Sequence, residues 1–249
     1  MNLKASVAIV TGASRGMGRA IAKRLAQEGA RVSLVSRTKT DLESVATAIR
    51  DQGGEALVAA ADVTDRLQVE AMVEATADHF GRVDVLVNAA FWGPPASLEE
   101  TTEEFWDKTL DACLKGPYLC TRAVFPLMRE QGGGRIVNIG SQAGKVGEDN
   151  RTAYCAAKWG LEGLTAALRE EMPKYDIRVQ LISPGATDTS FWEPYGLSGE
   201  TVERMIPPEA IAETVVYALT LPDQVLVSDV SVCNYRDPFA GKSSPFADE

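Results

Sequence analysis

Short apolar runs recur along the chain, separated by longer stretches in which apolar residues return every three to four positions. The runs are SVAIV (6–10), RVSLVS (31–36), EALVAA (55–60), VDVLVN (83–88), RIVNIG (135–140), IRVQLI (177–182) and VLVSDVSV (225–232). Most are nearly continuous in apolar residues rather than alternating, as expected of strands covered on both faces, and so of a parallel sheet. Between the first two, GRAIAKRLAQEG carries Ile21 and Leu25 on one stripe and ends at Gly29, a residue suited to closing a helix. The alternation predicts one α/β domain over residues 1–249, a doubly wound, Rossmann-type parallel sheet of about seven strands flanked by helices.

Two stretches break the alternation. Residues 186–210, ATDTSFWEPYGLSGETVERMIPPEA, are too long and too rich in Gly, Pro and aromatics for a plain crossover, and they predict a lid over a binding site. Residues 234–249, NYRDPFAGKSSPFADE, read as a C-terminal tail, either an arm that meets a partner or a disordered end.

Composition narrows the function classes. The 249 residues are 45% hydrophobic and 24% charged, as in an ordinary soluble globular protein, and no apolar run is long enough to span a membrane. A net charge of −10 argues against binding a nucleic-acid backbone, so any anion site must be local. Cys113, Cys120, Cys155 and Cys233 are scattered, which fits a reduced compartment better than a disulfide framework or a zinc site. The start, MNLKASVAIVTG, enters a strand-like run almost at once without an apolar signal segment, so the cytoplasm is the expected location. His79, the one histidine, reads as a surface residue at a helix end. A His-rich metal site is excluded, no metal is expected, and proton chemistry falls to Tyr, Lys, Asp, Glu or Cys.

The first strand runs into TGASRGMGRAIA, with Gly12, Gly16 and Gly18 where the chain turns from strand to helix. Glycines there let the backbone approach a pyrophosphate, and the helix N-terminus offers free N–H groups. The spacing is G-x-x-x-G-x-G rather than G-x-G-x-x-G, so position carries more weight than the pattern. At the end of the second strand, Ser36 stands where a carboxylate would bind a ribose hydroxyl, followed by Arg37 and Thr38. With Arg15 in the glycine loop, these residues favour a 2′-phosphate, hence NADP in preference to NAD. Asp62 in AADVTD either accepts from an adenine amino group or caps the following helix. Asn88, with the small residues Ala89 and Ala90, ends the fourth apolar run at the same crevice edge.

Ser141 follows the fifth run, and Tyr154 opens a helix with Lys158 four positions on, on the same face. Free tyrosine is a poor acid at neutrality, with a pKa of about 10, but a nearby ammonium favours the phenolate. A serine hydroxyl can donate to a developing alkoxide. The trio can move a proton at an oxygen while a nicotinamide exchanges hydride at the attached carbon.

Together, TGASRGMG, DV, VNAA, GS, the Y-x-x-x-K pair and SPGATDT resemble the short-chain dehydrogenase/reductase family over essentially the whole chain. The resemblance implies Tyr154 as general acid/base, Lys158 as its tuning charge and the holder of the nicotinamide ribose, and Ser141 as the carbonyl-orienting hydroxyl. It implies cofactor contacts from Gly12, Ser14, Arg15, Gly16, Met17 and Gly18, from Asp62, Val63, Asn88 and Ala89, and from Pro184, Gly185, Thr187 and Thr189. Two departures stand out. Ala90 replaces an expected glycine, with Phe91 just beyond, which tightens the pocket wall. Cys113 occupies the position of an asparagine that holds a water in a proton relay to the lysine; a thiol is a weak donor and acceptor, which leaves the backbone carbonyl for that task.

Substrate contacts are expected from Phe91, Trp92, Gln142, Phe191 and Trp192, which suit an apolar or ring-bearing ketone or alcohol. Glu148 and Asp149 disfavour an anionic carrier. The family resemblance further implies a homotetramer or homodimer built on the helices near 104–130 and 152–172 and on the last strand. The expected function is an NADP(H)-dependent oxidoreductase interconverting a ketone and a secondary alcohol. The alternative is a non-catalytic NADP-binding sensor or assembly subunit, favoured only by Cys113.

Overall fold

In the computed structural model, which describes residues 1–197 and 199–239, all seven apolar runs contribute to a single parallel sheet. The strands are β1 (Val7–Thr11), β2 (Arg31–Val35), β3 (Ala56–Val58), β4 (Val85–Asn88), β5 (Gly134–Ile139), β6 (Ile177–Pro184) and β7 (Asp229–Val232). Their order is β3-β2-β1-β4-β5-β6-β7, so the winding reverses between β1 and β4. In an open α/β sheet a ligand crevice forms at that reversal, beyond the carboxyl ends of the strands.

Alternate residues of each strand serve opposite faces, and both faces are apolar. On one face Ala8, Val10, Val32, Leu34 and Val85 pack against Ile21 and Leu25 of α1 (Gly16–Gln27), Leu42 and Ile49 of α2 (Lys39–Arg50), and Ile211 and Val215 of a late helix, Pro208–Thr220. On the other, Ile9, Val35, Leu86 and Ile136 meet Val69 and Met72 of α3 (Arg66–Phe80) and, from the segment Gly116–Glu130, Leu119 and Val124. Each such Val, Leu, Ile or Met side chain contributes about 1.5–3 kcal/mol on burial, which is why the strands read as unbroken apolar runs.

Several expectations change in detail. Helix α1 stops at Gln27 with Glu28 at its cap; Gly29, at φ 85°, makes the turn just beyond. The helix expected near 104–130 is α4 (Glu103–Leu110), a π-helical turn over Asp111–Lys115, and α5 (Gly116–Glu130). The π turn cannot be seen in a periodicity that continues across it. Helix α6 (Thr152–Glu171) matches its expected span. The run at 225–232 pairs as a strand only from Asp229, because a partner backbone on one side alone leaves β7 an exposed edge.

Residues 186–210 are built from a 3₁₀ turn (Ser190–Tyr195), the short α7 (Glu200–Glu203) and the start of α8 (Pro208–Thr220). The tail from 234 to 239 lies on this segment: Asn234 Nδ2 donates to the carbonyls of Ala186 (2.9 Å) and Arg204 (3.0 Å), and Phe239 packs 5.5 Å from Trp192. The remainder of the expected tail, 240–249, lies outside the described residues.

Candidate active site

The turn from β1 into α1 is shaped by backbone approach. Gly12 has φ 67° and Gly16 φ 54°, a region side chains disfavour, and a Cβ on Gly18 would lie 2.2 Å from the Gly12 carbonyl oxygen. Thr11 Oγ1 accepts from the amides of Ala89 (3.0 Å) and Ala90 (3.1 Å), tying the end of β1 to the chain after β4. Beside this turn opens a cleft of about 910 Å³. Gly12, Ser14, Arg15, Gly16, Met17 and Gly18 line one end of it; Ser36, Arg37, Thr38, Asp62 and Val63 line another wall, with Ala89 between. Asp41 and Thr64 also face it, the first masked in the sequence by its place inside a helical pattern.

The cleft fits a dinucleotide in two respects. Its glycine cradle leaves no room for a Cβ at Gly18, and Ser36 Oγ is buried in the protein without an internal partner. The helix α1 N-terminus supplies backbone N–H groups at the cradle. Asp62 is not the helix cap: Asp65 accepts from the amides of Leu67 and Gln68, whereas Asp62 Oδ1 accepts from the amide (2.9 Å) and hydroxyl (2.8 Å) of Thr64. Asn88 lies beneath the crevice, its Nδ2 donating 2.9 Å to Asn138 Oδ1, and Asn138 in turn donates to Thr165 Oγ1 on α6. This buried ladder ties β4 and β5 to the helix that carries Tyr154.

A second cleft of about 450 Å³ adjoins the first, and Met17, Phe91, Thr189 and Phe191 line both. Ser141, Gln142, Tyr154, Pro184, Gly185, Thr187 and Trp192 line this smaller space. Ser141 Oγ accepts from Ala143 N at 3.1 Å, which leaves its proton for another acceptor. Gln142 Nε2 is held by the Ser183 carbonyl at 3.0 Å. Tyr154 is buried, with Gly93 so close that a Cβ there would lie 2.9 Å from the ring. Lys158 is 3% exposed; its Nζ donates to the Ile139 carbonyl at 2.8 Å and sits 5.6 Å from the Tyr154 ring centroid.

Cys113 is fully buried in the π turn, and its Sγ donates to the Trp92 carbonyl at 3.1 Å. Burial pushes the thiol up, against a smaller opposing pull from Lys158, so it stays protonated at neutral pH. Trp92 itself lines the larger cleft, its ring tilted against Phe105 at 4.8 Å and under Lys108 Nζ at 4.3 Å. In the segment after β6, Trp192 Nε1 donates to the Thr187 carbonyl at 2.8 Å, Thr187 Oγ1 to the Gly185 carbonyl at 3.0 Å, and Thr189 Oγ1 accepts from Phe191 N. Phe191 reaches Phe91 at 5.7 Å across the cleft.

Among the wall residues that sequence reasoning did not reach are Arg151, Asn234, Asp237, Pro238 and Phe239. Arg151, three positions before Tyr154, places its guanidinium 4.0 Å over that ring. Asn234 and Phe239 come from far along the chain, and only the folded path brings them here. No group of three or more metal-ligating side chains exists among the described residues.

A doubly wound parallel sheet with a glycine cradle at its switch point defines a dinucleotide-binding α/β protein of the Rossmann type. The family model for short chain dehydrogenase matches residues 6–197. An uncharacterized oxidoreductase of Staphylococcus epidermidis is 35% identical over 230 residues, spanning 92% of this chain and 97% of the relative. A metagenomic short-chain oxidoreductase crystallised with NADP is 37% identical, with TM-score 0.83 and coverage of 95% of this chain and 100% of that one. A variant of the actinorhodin polyketide ketoreductase crystallised with NADPH is 33% identical, with TM-score 0.84 and coverage of 92% and 96%. The chain belongs to the short-chain dehydrogenase/reductase family and is an oxidoreductase.

Proposed function

We propose that this oxidoreductase uses NADP(H) to interconvert a ketone and a secondary alcohol, with Tyr154 as general acid/base. The observation that carries the reading is the pairing of Tyr154 and Ser141 in the smaller cleft with a buried Lys158 beside the phenol, next to the glycine cradle. The nicotinamide, when bound, supplies or accepts the hydride.

In the reducing direction Ser141 Oγ donates to the substrate carbonyl oxygen, and Tyr154 delivers its proton to that oxygen as it becomes an alkoxide. The charge left on the phenol is favoured by the Lys158 ammonium, which the Ile139 carbonyl holds in place. Arg37, Thr38 and the unpartnered Ser36 hydroxyl are suited to a 2′-phosphate, which supports NADP over NAD, as do the relatives crystallised with NADP and NADPH. Phe91, Phe191 and Trp192 form an apolar wall suited to a ring-bearing substrate.

Under this reading the protein works in the cytoplasm, which its four unpaired cysteines support, and assembles as a homotetramer or homodimer. Tyr118 on α5 and Trp159 on α6 are exposed large side chains on the helices expected to meet a second copy. No described helix is long and apolar enough to cross a membrane. The sensor reading keeps one supporting observation, the Cys113 thiol spent on a backbone carbonyl.

The test is NADPH oxidation over a panel of cyclic and aryl ketones, repeated with Tyr154→Phe. Turnover by the wild type and its collapse in the variant are expected. Tight NADPH binding without turnover of any ketone would favour the sensor.

A further inference from the structure

Lys158 is the cation the family resemblance assigns to Tyr154, yet it is not the nearest one. The Arg151 guanidinium carbon lies 4.0 Å from the Tyr154 ring centroid, against 5.6 Å for Lys158 Nζ. Arg151 is 6% exposed, and a cation over an aromatic face gains most where water is excluded. We propose that Arg151 is a positioning residue for Tyr154, a second cation that stabilises the phenolate through the face of its ring and clamps the ring in register with the smaller cleft. The inference rests on Tyr154 as the acid/base and deepens that reading.

The backbone specifies this placement. Asn150 adopts a left-handed conformation, φ 56°, which asparagine accepts more readily than other side-chain-bearing residues. Its carbonyl accepts from Ala96 N at 2.8 Å, and Arg151 pairs with Ala96 in an isolated parallel bridge. On its other side the Arg151 carbonyl accepts from Cys155 N at 2.7 Å, the first helical bond of α6. Arg151 is thus fixed at the helix entry, one turn before Tyr154 on the same face.

The reaction places negative charge where this arrangement can use it. Once Tyr154 has given up its proton, phenolate charge spreads from the oxygen into the ring, towards the guanidinium. Two cations then hold the anion: Lys158, anchored to β5 through the Ile139 carbonyl, and Arg151, anchored to the loop before α6. The guanidinium also lies 5.6 Å from the ring of Phe191, a residue that lines both clefts, so two rings share the same cation. An arginine is suited to this place because its planar, weakly hydrated group stacks on ring faces.

The experiment is steady-state kinetics of Arg151→Met and Arg151→Lys with the best ketone, each also made in the Tyr154→Phe background, with thermal unfolding and NADPH titration of every variant. Arg151→Met is expected to lower kcat about tenfold with KM within about twofold, because the stabilisation acts after substrate binds. Arg151→Lys is expected to recover most of that loss. The solvent deuterium effect on kcat should rise in Arg151→Met, as proton transfer becomes slower relative to release. In the Tyr154→Phe background, Arg151→Met should change kcat less than twofold, since the ring remains but the hydroxyl whose anion it stabilises is gone.

Equal losses in both backgrounds, an effect confined to KM, or no loss at all would overturn the inference while leaving the oxidoreductase reading intact. Absence of ketone turnover by the wild type would overturn both. Where Arg151→Met does not fold, Arg151→Gln takes its place, judged by the same outcomes.

Discussion

The two adjoining clefts are made in different ways. The larger is walled at its cradle by backbone: glycines at positive φ, a helix N-terminus and strand-end residues whose placement follows from the sheet. The smaller is walled by side chains from seven separate places: α1, the chain after β4, the turn after β5, the entry to α6, the end of β6, the segment around the 3₁₀ turn and residues 234–239. A site built from backbone tolerates little change of shape, whereas one built from aromatic side chains and loops can be reshaped one residue at a time. The contrast separates what the whole family must do from what one member selects.

Substitutions in each cleft should therefore fail in different measurements. The largest effect is expected at the chemistry: Tyr154→Phe should lower kcat about a thousandfold while NADPH affinity stays within a few fold. In the backbone-built cleft, Gly18→Ala drives a Cβ against the Gly12 carbonyl and should cost about 3 kcal/mol of stability, read by denaturant unfolding, and weaken NADPH binding. A well-folded variant with unchanged affinity would show that the cradle is looser than its geometry. Arg37→Ala should weaken NADPH binding about tenfold and leave NADH unaffected, by fluorescence titration of both. Equal losses for the two cofactors would remove the 2′-phosphate assignment.

On the side-chain-built cleft, Asn234→Ala leaves the Ala186 and Arg204 carbonyls without their shared donor. It should cost about 1–2 kcal/mol and raise ketone KM several fold with NADPH affinity unchanged. A change in NADPH affinity as large as that in KM would erase the division between the clefts. The smallest effect is chemical labelling. Exposed Cys233 should react with a thiol reagent at neutral pH, while Cys113, raised by burial, and Cys120, pushed up to about 12, stay unlabelled in the folded protein. Mass spectrometry before and after unfolding distinguishes them.

The same division explains what could be read from the sequence. Strand existence, parallel pairing and the glycine cradle were legible because each is written in consecutive residues: apolar runs, a strand followed by TGASRGMG, a Y-x-x-x-K pair at helical spacing. Asp62 was legible as a crevice residue but left between two roles until Asp65 proved to cap α3. The start of β7 was misplaced by four residues because 225–228 are as apolar as a strand, yet they meet β6 only through the Leu181 amide on the Ser228 carbonyl and the Gln180 side chain on the Val227 carbonyl, and the ladder begins at Asp229. Arg151 was passed over because nothing in RTAYCAAK distinguishes a cation over a ring from one in water. The clasp of Asn234 on Ala186 joins residues 48 apart, and local pattern carries no signal for it.

The π-helical turn at Asp111–Lys115 has a consequence for how this protein can change. Such a turn holds one residue more than an α-helical turn, so it behaves as an insertion that the helix has absorbed. Removing one residue there would restore a regular helix while the flanking helices keep the faces they present, because the extra residue is taken up within the turn. Helix α4, whose Glu104 and Lys108 wall the larger cleft, would stay in place, and α5 would stay packed on the sheet. The turn is thus open to the loss of a residue on its exposed side, at Lys115, and closed to a charge at buried Cys113. A variant without Lys115 should fold, and Cys113→Asp should not, as read by thermal unfolding.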